Sequence, residues 1–216
     1  MEIIKSQKGF LTLLTGKTGM GKSTITVYDC SEQLREGKKV IFFSYEYCQS
    51  MIYNKMIAHF KLGWSTLFNL NIVDASGISL SNLIEFVKGK KGNVDAVYID
   101  YLDLLKDATF GKKEGEDGTK EIQTIIKELA TLAKEMDIAI VLLSQVGQSS
   151  DFEKTIETLN VFTEKVKANN AIKMFIGKGN VIDTRISYDD ISHIILIDGY
   201  NLKHFSSINI KEIYKD

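Results

Sequence analysis

The chain has 216 residues, enough for one domain with a substantial core, and its 44% hydrophobic and 25% charged residues are ordinary for a globular protein. A formal net charge of −1 excludes a polycation, so contact with nucleic acid has to come from a local patch or from a ring that gathers charge at its centre. No apolar run is long enough to span a bilayer, and Met1-Glu2-Ile3-Ile4-Lys5 lacks the apolar stretch of a signal peptide, which predicts a cytoplasmic protein with no membrane partner.

The first predicted element is a strand over residues 10–15, where Phe10-Leu11-Thr12-Leu13-Leu14 is apolar enough for a buried position. It runs into Gly16-Lys17-Thr18-Gly19-Met20-Gly21-Lys22-Ser23, two glycines separated by four residues and followed by Lys and Ser. This is the pattern of a phosphate-binding loop. Glycines let the backbone turn tightly, so that successive N–H groups point at a polyphosphate. Lys22 has the reach for β- and γ-phosphates, and the Ser23 hydroxyl suits Mg²⁺. A helix over 22–35 turns its positive dipole end on the same anion. Residues 16–24, Thr24 included, are the expected nucleotide-binding set, with ATP and Mg²⁺ as ligands. Without a ligand the same stretch reads as a Gly-rich strand-to-helix turn.

Gly37 is the expected helix stop. Val40-Ile41-Phe42-Phe43 makes a second buried strand, followed by a helical stretch over 50–60, a short strand at 71–73 and a helix over 81–88. Val94-Asp95-Ala96-Val97-Tyr98-Ile99-Asp100 is a strand ending in an acid. Residues 106–118, rich in Gly and charge, read as a mobile loop. A helix over 119–136 follows from Ile122, Ile125, Ile126, Leu129, Leu132, Ala133 and Met136, which recur at helical spacing. Residues 138–144 form another buried strand. Beyond Ser144, strands are expected at 171–176, 193–198 and 205–210, and with no long helix between the last two, partly antiparallel pairing at the sheet edge follows. Strands alternating with helices predict an α/β fold with a mainly parallel sheet covered on both faces, as a single domain over 1–216. Cys30 reads as buried in its helix and Cys48 as a reduced thiol in a cytosolic compartment. His59, His193 and His204 lack metal-ligand spacing, and with no proline, Gly and Asn are expected to make the turns.

Three strand ends carry candidate chemistry. Asp100 ends an apolar strand, as an acid that holds Mg²⁺ through water does, or as a strand-terminal cap. Glu46 follows Ile41-Phe42-Phe43-Ser44-Tyr45, where a carboxylate reaches the ligand crevice of an open α/β sheet and polarises an attacking water. Gln145 follows Val141-Leu142-Leu143-Ser144, where its amide is placed to sense a γ-phosphate. Taken alone, Glu46 reads equally as a surface charge and Gln145 as an ordinary polar residue at a strand end.

Together the motifs resemble those of DnaB-family replicative helicases. Val40-Ile41-Phe42-Phe43-Ser44-Tyr45-Glu46 is similar to the family segment that carries the catalytic glutamate. Val97-Tyr98-Ile99-Asp100-Tyr101-Leu102-Asp103-Leu104-Leu105 resembles its Walker B run, where Asp-Tyr-Leu recurs, and residues 121–145 resemble the helix and strand that end in Leu-Ser-Gln. The likeness runs from about Gly9 to Gln145, with four motifs in order. It implies a RecA-like P-loop core, Mg-ATP hydrolysis and a homo-oligomer, in the family a hexameric ring on single-stranded DNA working with other replication proteins in a bacterial or phage-infected cell. It transfers phosphate binding to Lys22, Mg²⁺ to Ser23 and Asp100, water activation to Glu46 and γ-phosphate sensing to Gln145.

The chain begins almost at the P-loop strand, so the family's N-terminal domain and linker helix are expected to be absent from it. The family places a basic finger near its final strands. Here residues 194–203 contain no Arg, leaving Lys203 as the nearest cation and Arg185 as the only other arginine after Arg35. Lys165, Lys167 and Lys173 are the candidates for nucleic-acid contact, or else a solvated face. The leading expectation is a compact DnaB-like ATPase acting on single-stranded DNA. A RecA/RadA-type recombination ATPase and a loader-like ATP-binding module with slow hydrolysis are the alternatives.

Overall fold

The computed structural model of the protein describes residues 6–17, 22–58, 60–111 and 119–146, and the course of three further strands at 171–178, 193–197 and 205–209. In chain order the elements are β1 (Leu11–Lys17), α1 (Lys22–Arg35), β2 (Val40–Ser44), α2 (Gln49–Ala58), α3 (Trp64–Leu67), β3 (Leu70–Asp74), α4 (Leu80–Lys88), β4 (Ala96–Asp100), α5 (Leu102–Phe110), α6 (Thr119–Met136), β5 (Ala139–Val146), β6 (Ala171–Lys178), β7 (His193–Ile197) and β8 (Phe205–Asn209). The strands make one sheet in the order β3-β2-β4-β5-β1-β6-β7-β8. Every neighbouring pair is parallel except β7–β8, so the expected antiparallel edge is present.

Strand residues alternate between two apolar layers, as a pleated strand requires. Leu14, Phe42, Tyr98, Val141 and Leu143 pack with Ile25, Cys30 and Leu34 of α1 and Ile52 and Met56 of α2. Leu13, Phe43, Val97, Ile99, Ile140 and Leu142 pack with α4, α5 and the Ile122, Ile125, Ile126, Leu129, Leu132 and Ala133 stripe of α6. Burial on both faces is why β2 and β4 read as continuous apolar runs instead of alternating ones.

Helix ends follow local chemistry. At Gly37 the chain turns left-handed (φ 77°); the Gly37 N–H donates to Leu34 O (3.0 Å) and Lys38 N–H to Gln33 O (3.1 Å), which closes α1 with a Schellman motif. Ser79 caps α4, accepting from the Asn82 N–H at 3.4 Å. Two expectations need correction. Residues 106–110 are helical, since Leu102 and Leu105 are buried and Leu104 and Ala108 pack against the same layer; the charges of Lys106 and Asp107 lie between these apolar positions and masked their spacing. Gly111 (φ 80°) ends that helix, and residues 112–118 of the expected loop lie outside the described residues. Among the described residues, positive φ outside glycine falls to Lys61 (53°) and Asp137 (52°), not to Asn. Among the described residues no helix is long and apolar enough to cross a membrane.

Candidate active site

The strand register collects the candidate residues at one edge. Ser44 pairs with Asp100 across β2–β4, and Gly16 pairs with Gln145 across β1–β5, so the loops after four adjacent strands open side by side. In open α/β sheets ligands bind outside these carboxyl ends.

Lys22 opens α1 with 6% of its surface exposed, and its ammonium donates to the Gly16 carbonyl at 2.7 Å, closing the two ends of the glycine loop on each other. Burial pushes its pKa down to about 8, opposed by the charges of Asp100, Glu46 and Asp103. A lysine this poorly solvated is an anion site by default, because a polyphosphate restores the stabilisation that water no longer supplies. Thr15, in the last position before the loop, is buried, and its hydroxyl has no hydrogen-bond partner among the described residues. Thr18, Gly19, Met20 and Gly21 lie outside the described residues, and Lys17 closes β1. Ser23 and Thr24 follow Lys22 in the first turn of α1, both half-buried.

Asp100 ends β4 with 3% of its surface exposed. Burial raises its pKa to about 6; the nearby Glu46 adds to the rise, while a hydrogen bond from Ser23 and the charges of Lys22 and Lys55 oppose it. The hydroxyl and the carboxylate that sequence assigned separately to Mg²⁺ therefore touch. One hydroxyl and one carboxylate are hard oxygen ligands of the kind Mg²⁺ accepts, the remaining positions going to water and phosphate oxygens. Among the described residues no cluster of three or more His, Cys, Asp or Glu forms an all-protein metal cage, in keeping with that mode. A folded pKa of about 6 against 3.8 means that Asp100 contributes stability below pH 3.8 that is lost as pH rises through about 6, because the charged carboxylate is desolvated. Asp100→Asn should therefore melt higher than the parent at pH 7 without ligand, by on the order of 2 kcal/mol, with the advantage gone near pH 4. Thermal melts at the two pH values check this, and equal melting at pH 7 contradicts the desolvated charge.

Glu46 stands exposed on the turn after β2. Its backbone setting is firm. The Ser44 hydroxyl accepts from the Tyr47 N–H (3.0 Å) and donates to the Tyr47 carbonyl (2.6 Å). The Tyr45 N–H donates to the Asp100 carbonyl (2.8 Å), and the buried Tyr45 ring anchors its hydroxyl on Ile78 O (2.9 Å). With Tyr45 turned inward, Glu46 faces the mouth of the site, where its charge acts on Lys22, Asp100, Tyr47 and Tyr101.

Sequence reasoning missed three participants. Asp103, in the first turn of α5, accepts from the Gln145 backbone N–H; burial raises its pKa, and its charge reaches Lys22. It lay inside the quoted Walker B run without a role, and its position three residues after Asp100 was the available signal. Lys55 of α2 holds its ammonium 4.7 Å from the centroid of the Tyr47 ring, and Asp100 feels its charge. Tyr47 itself, beside Glu46, has its pKa raised by burial and by Glu46. Gln145 sits in β5 half-buried, beside Gly16. Lys173 lies in β6 in register with Leu13. Lys165, Lys167, Arg185 and Lys203 lie outside the described residues.

Comparison with known proteins agrees with the resemblance read from the motifs. Residues 65–157 match the family model of the DnaB-like helicase C-terminal domain. That stretch includes Asp100 and Gln145 but neither the glycine loop nor Glu46. No curated protein matches the chain. An ATPase domain whose structure was solved on its own superposes with a TM-score of 0.55 at 18% identity, over 88% of this chain and 69% of that one. A DnaB-like replicative helicase, solved together with its interactions with primase, superposes with a TM-score of 0.57 at 18% identity, over 94% of this chain. This chain spans 52% of the length of that helicase. The protein thus carries a RecA-like fold, and its Walker B half matches the C-terminal domain of the DnaB-like helicases.

Proposed function

We propose that the chain is a Mg-ATP-hydrolysing motor of the DnaB type that acts on single-stranded DNA as a homo-oligomer. The observation that carries this reading is the convergence of Lys22, Ser23, Asp100 and Glu46 at one edge of the sheet, with Ser23 hydrogen-bonded to Asp100. Lys22 and the loop 16–24 bind the polyphosphate, and Mg²⁺, held by Ser23 and Asp100, supplies charge neutralisation at the β- and γ-phosphates. Glu46 accepts a proton from the attacking water and aims its oxygen at the γ-phosphorus. Gln145, joined to Asp103 through its backbone N–H, reports on the γ-phosphate to the strand and to α5. Lys203 of a neighbouring copy serves as the finger; as a point charge it lacks the bidentate fork of Arg, so basal turnover is slow until DNA closes the assembly.

The test is the assembly state and turnover with ATP, Mg²⁺ and single-stranded DNA. A closed ring with DNA-stimulated hydrolysis supports the reading. A monomer, or a fixed complex with another protein and no stimulation, overturns it. Because the net charge is −1, a single subunit should bind DNA weakly, while a ring multiplies contacts from Lys165, Lys167 and Lys173. Binding should require ATP and Mg²⁺ and fall with salt, each neutralised phosphate adding about 0.7 to the log–log slope. A salt titration by fluorescence anisotropy measures this, and salt-independent binding contradicts it.

A further inference from the structure

Beneath the site lies a buried polar pair that the proposed chemistry does not use. The Tyr98 hydroxyl donates to the Asp29 carboxylate at 2.6 Å, joining residues 69 apart in sequence. Tyr98 is fully buried and Asp29 is 3% exposed, inside the apolar layer that holds Leu14, Ile25, Cys30, Phe42 and Val141. Tyr98 belongs to β4, two residues before Asp100 and therefore on the same face of the strand. Asp29 belongs to α1, two helical turns beyond Lys22 on the same face of the helix. The pair is itself supported: the Ser6 hydroxyl bonds to Tyr98, Gln33 Nε2 donates to Ser6 Oγ (3.2 Å), and Lys38 Nζ donates to Gln33 Oε1 (2.7 Å).

We propose that the Asp29–Tyr98 hydrogen bond is a strut that sets the separation of α1 from β4, and with it the spacing between the Ser23 hydroxyl and the Asp100 carboxylate. Asp29 and Tyr98 are then positioning residues for the Mg²⁺–nucleotide site, an inference that rests on the roles given above to Ser23 and Asp100. The two elements are joined at two points, Ser23–Asp100 at the mouth and Asp29–Tyr98 inside. A metal ion lying between Ser23 and Asp100 breaks the outer contact, and only the inner one then keeps the helix from rotating or sliding along the strand. Apolar side chains would fill the same space, since replacing a buried polar pair by hydrophobes of similar volume is often neutral in stability. What they lack is direction, and a short hydrogen bond with fully desolvated partners fixes one helix register.

The test measures the Mg²⁺ midpoint for binding a non-hydrolysable fluorescent ATP analogue, its affinity in excess chelator, and thermal melting. Tyr98→Phe keeps the ring that stacks on Phe42 at 5.9 Å and deletes only the hydroxyl. Its Mg²⁺ midpoint should rise about tenfold, the size of one lost buried hydrogen bond, with metal-free affinity unchanged. Asp29→Asn keeps an acceptor oxygen and should recover most of the parent midpoint. The double variant Asp29→Leu with Tyr98→Phe leaves no buried charge, so it should fold even where Tyr98→Phe alone does not, and should still show the raised midpoint. A folded double variant with the parent midpoint overturns the strut. Equal loss of metal-free and Mg²⁺-dependent affinity does so too, because it marks general loosening. Nucleotide binding by the parent that ignores Mg²⁺ overturns the strut together with the roles of Ser23 and Asp100, whereas Mg²⁺-dependent binding left unmoved by every variant overturns the strut alone.

Discussion

Lys22→Ala should abolish ATP hydrolysis while leaving the fold at least as stable as the parent. Removing one preorganised donor from a developing oxyanion costs about 10²–10³ in rate, and Lys22 adds a full charge to its hydrogen bond, so turnover should fall by at least that factor. Stability should move the other way. Lys22 is held at a pKa of about 8 chiefly by burial, against the ordinary 10.5. Between those values the unfolded chain keeps a proton that the native lysine has given up, so this residue's contribution to stability rises with pH across the window from about 8 to 10.5. Below pH 8 the native state carries a desolvated charge, and deleting it at pH 7 relieves that cost. Nucleotide-free melting at pH 7 should therefore stay level or rise. Near-parental turnover would sink the phosphate-loop assignment, and lost turnover with a collapsed melting curve would show that the variant had merely unfolded. The same chemistry predicts that ATP affinity weakens as pH climbs past about 8, since a neutral amine offers no charge to the phosphates.

Glu46→Gln should separate binding from chemistry. The side chain keeps its shape and stands exposed on a turn held by Ser44 and Tyr45, so the fold has no reason to change. Hydrolysis should slow by roughly 10²–10⁴, the usual range for loss of a general base. Nucleotide affinity should hold or increase, because the amide removes a negative charge that acts on both Lys22 and Asp100. ATP affinity and single-turnover hydrolysis measured side by side settle the point. Unchanged hydrolysis would make Glu46 a surface charge, and loss of binding along with rate would assign it to nucleotide binding instead of water activation.

Much of this protein is local and therefore readable along the chain. The bounds of α1 and α6 coincide with the expected 22–35 and 119–136, because a stop at Gly37 and a regular stripe from Ile122 to Met136 are properties of a single segment. The glycine loop is likewise a local pattern, since its backbone and its lysine are contiguous. α5 was not readable in the same way. Its apolar face is short, and whether residues 106–110 coil or stay loose depends on Leu102 and Leu105 meeting the layer built by α4 and α6.

Tertiary structure alone decided the site. Sequence supplied Ser23, Glu46, Asp100 and Gln145 as separate strand-end residues, each with an ordinary explanation. The order β2-β4-β5-β1, with Ser44 opposite Asp100 and Gly16 opposite Gln145, brings them to one edge. Strand order and register are set by long-range pairing, where a slip of one residue would turn every side chain to the other face. The same holds for Lys22, whose lowered pKa comes from burial among Asp100, Glu46 and Asp103, and for Asp29 and Tyr98, whose hydrogen bond exists only once α1 lies across β4. The chain specifies the groups one segment at a time; their protonation, contacts and shared direction arise when the sheet closes water out between them.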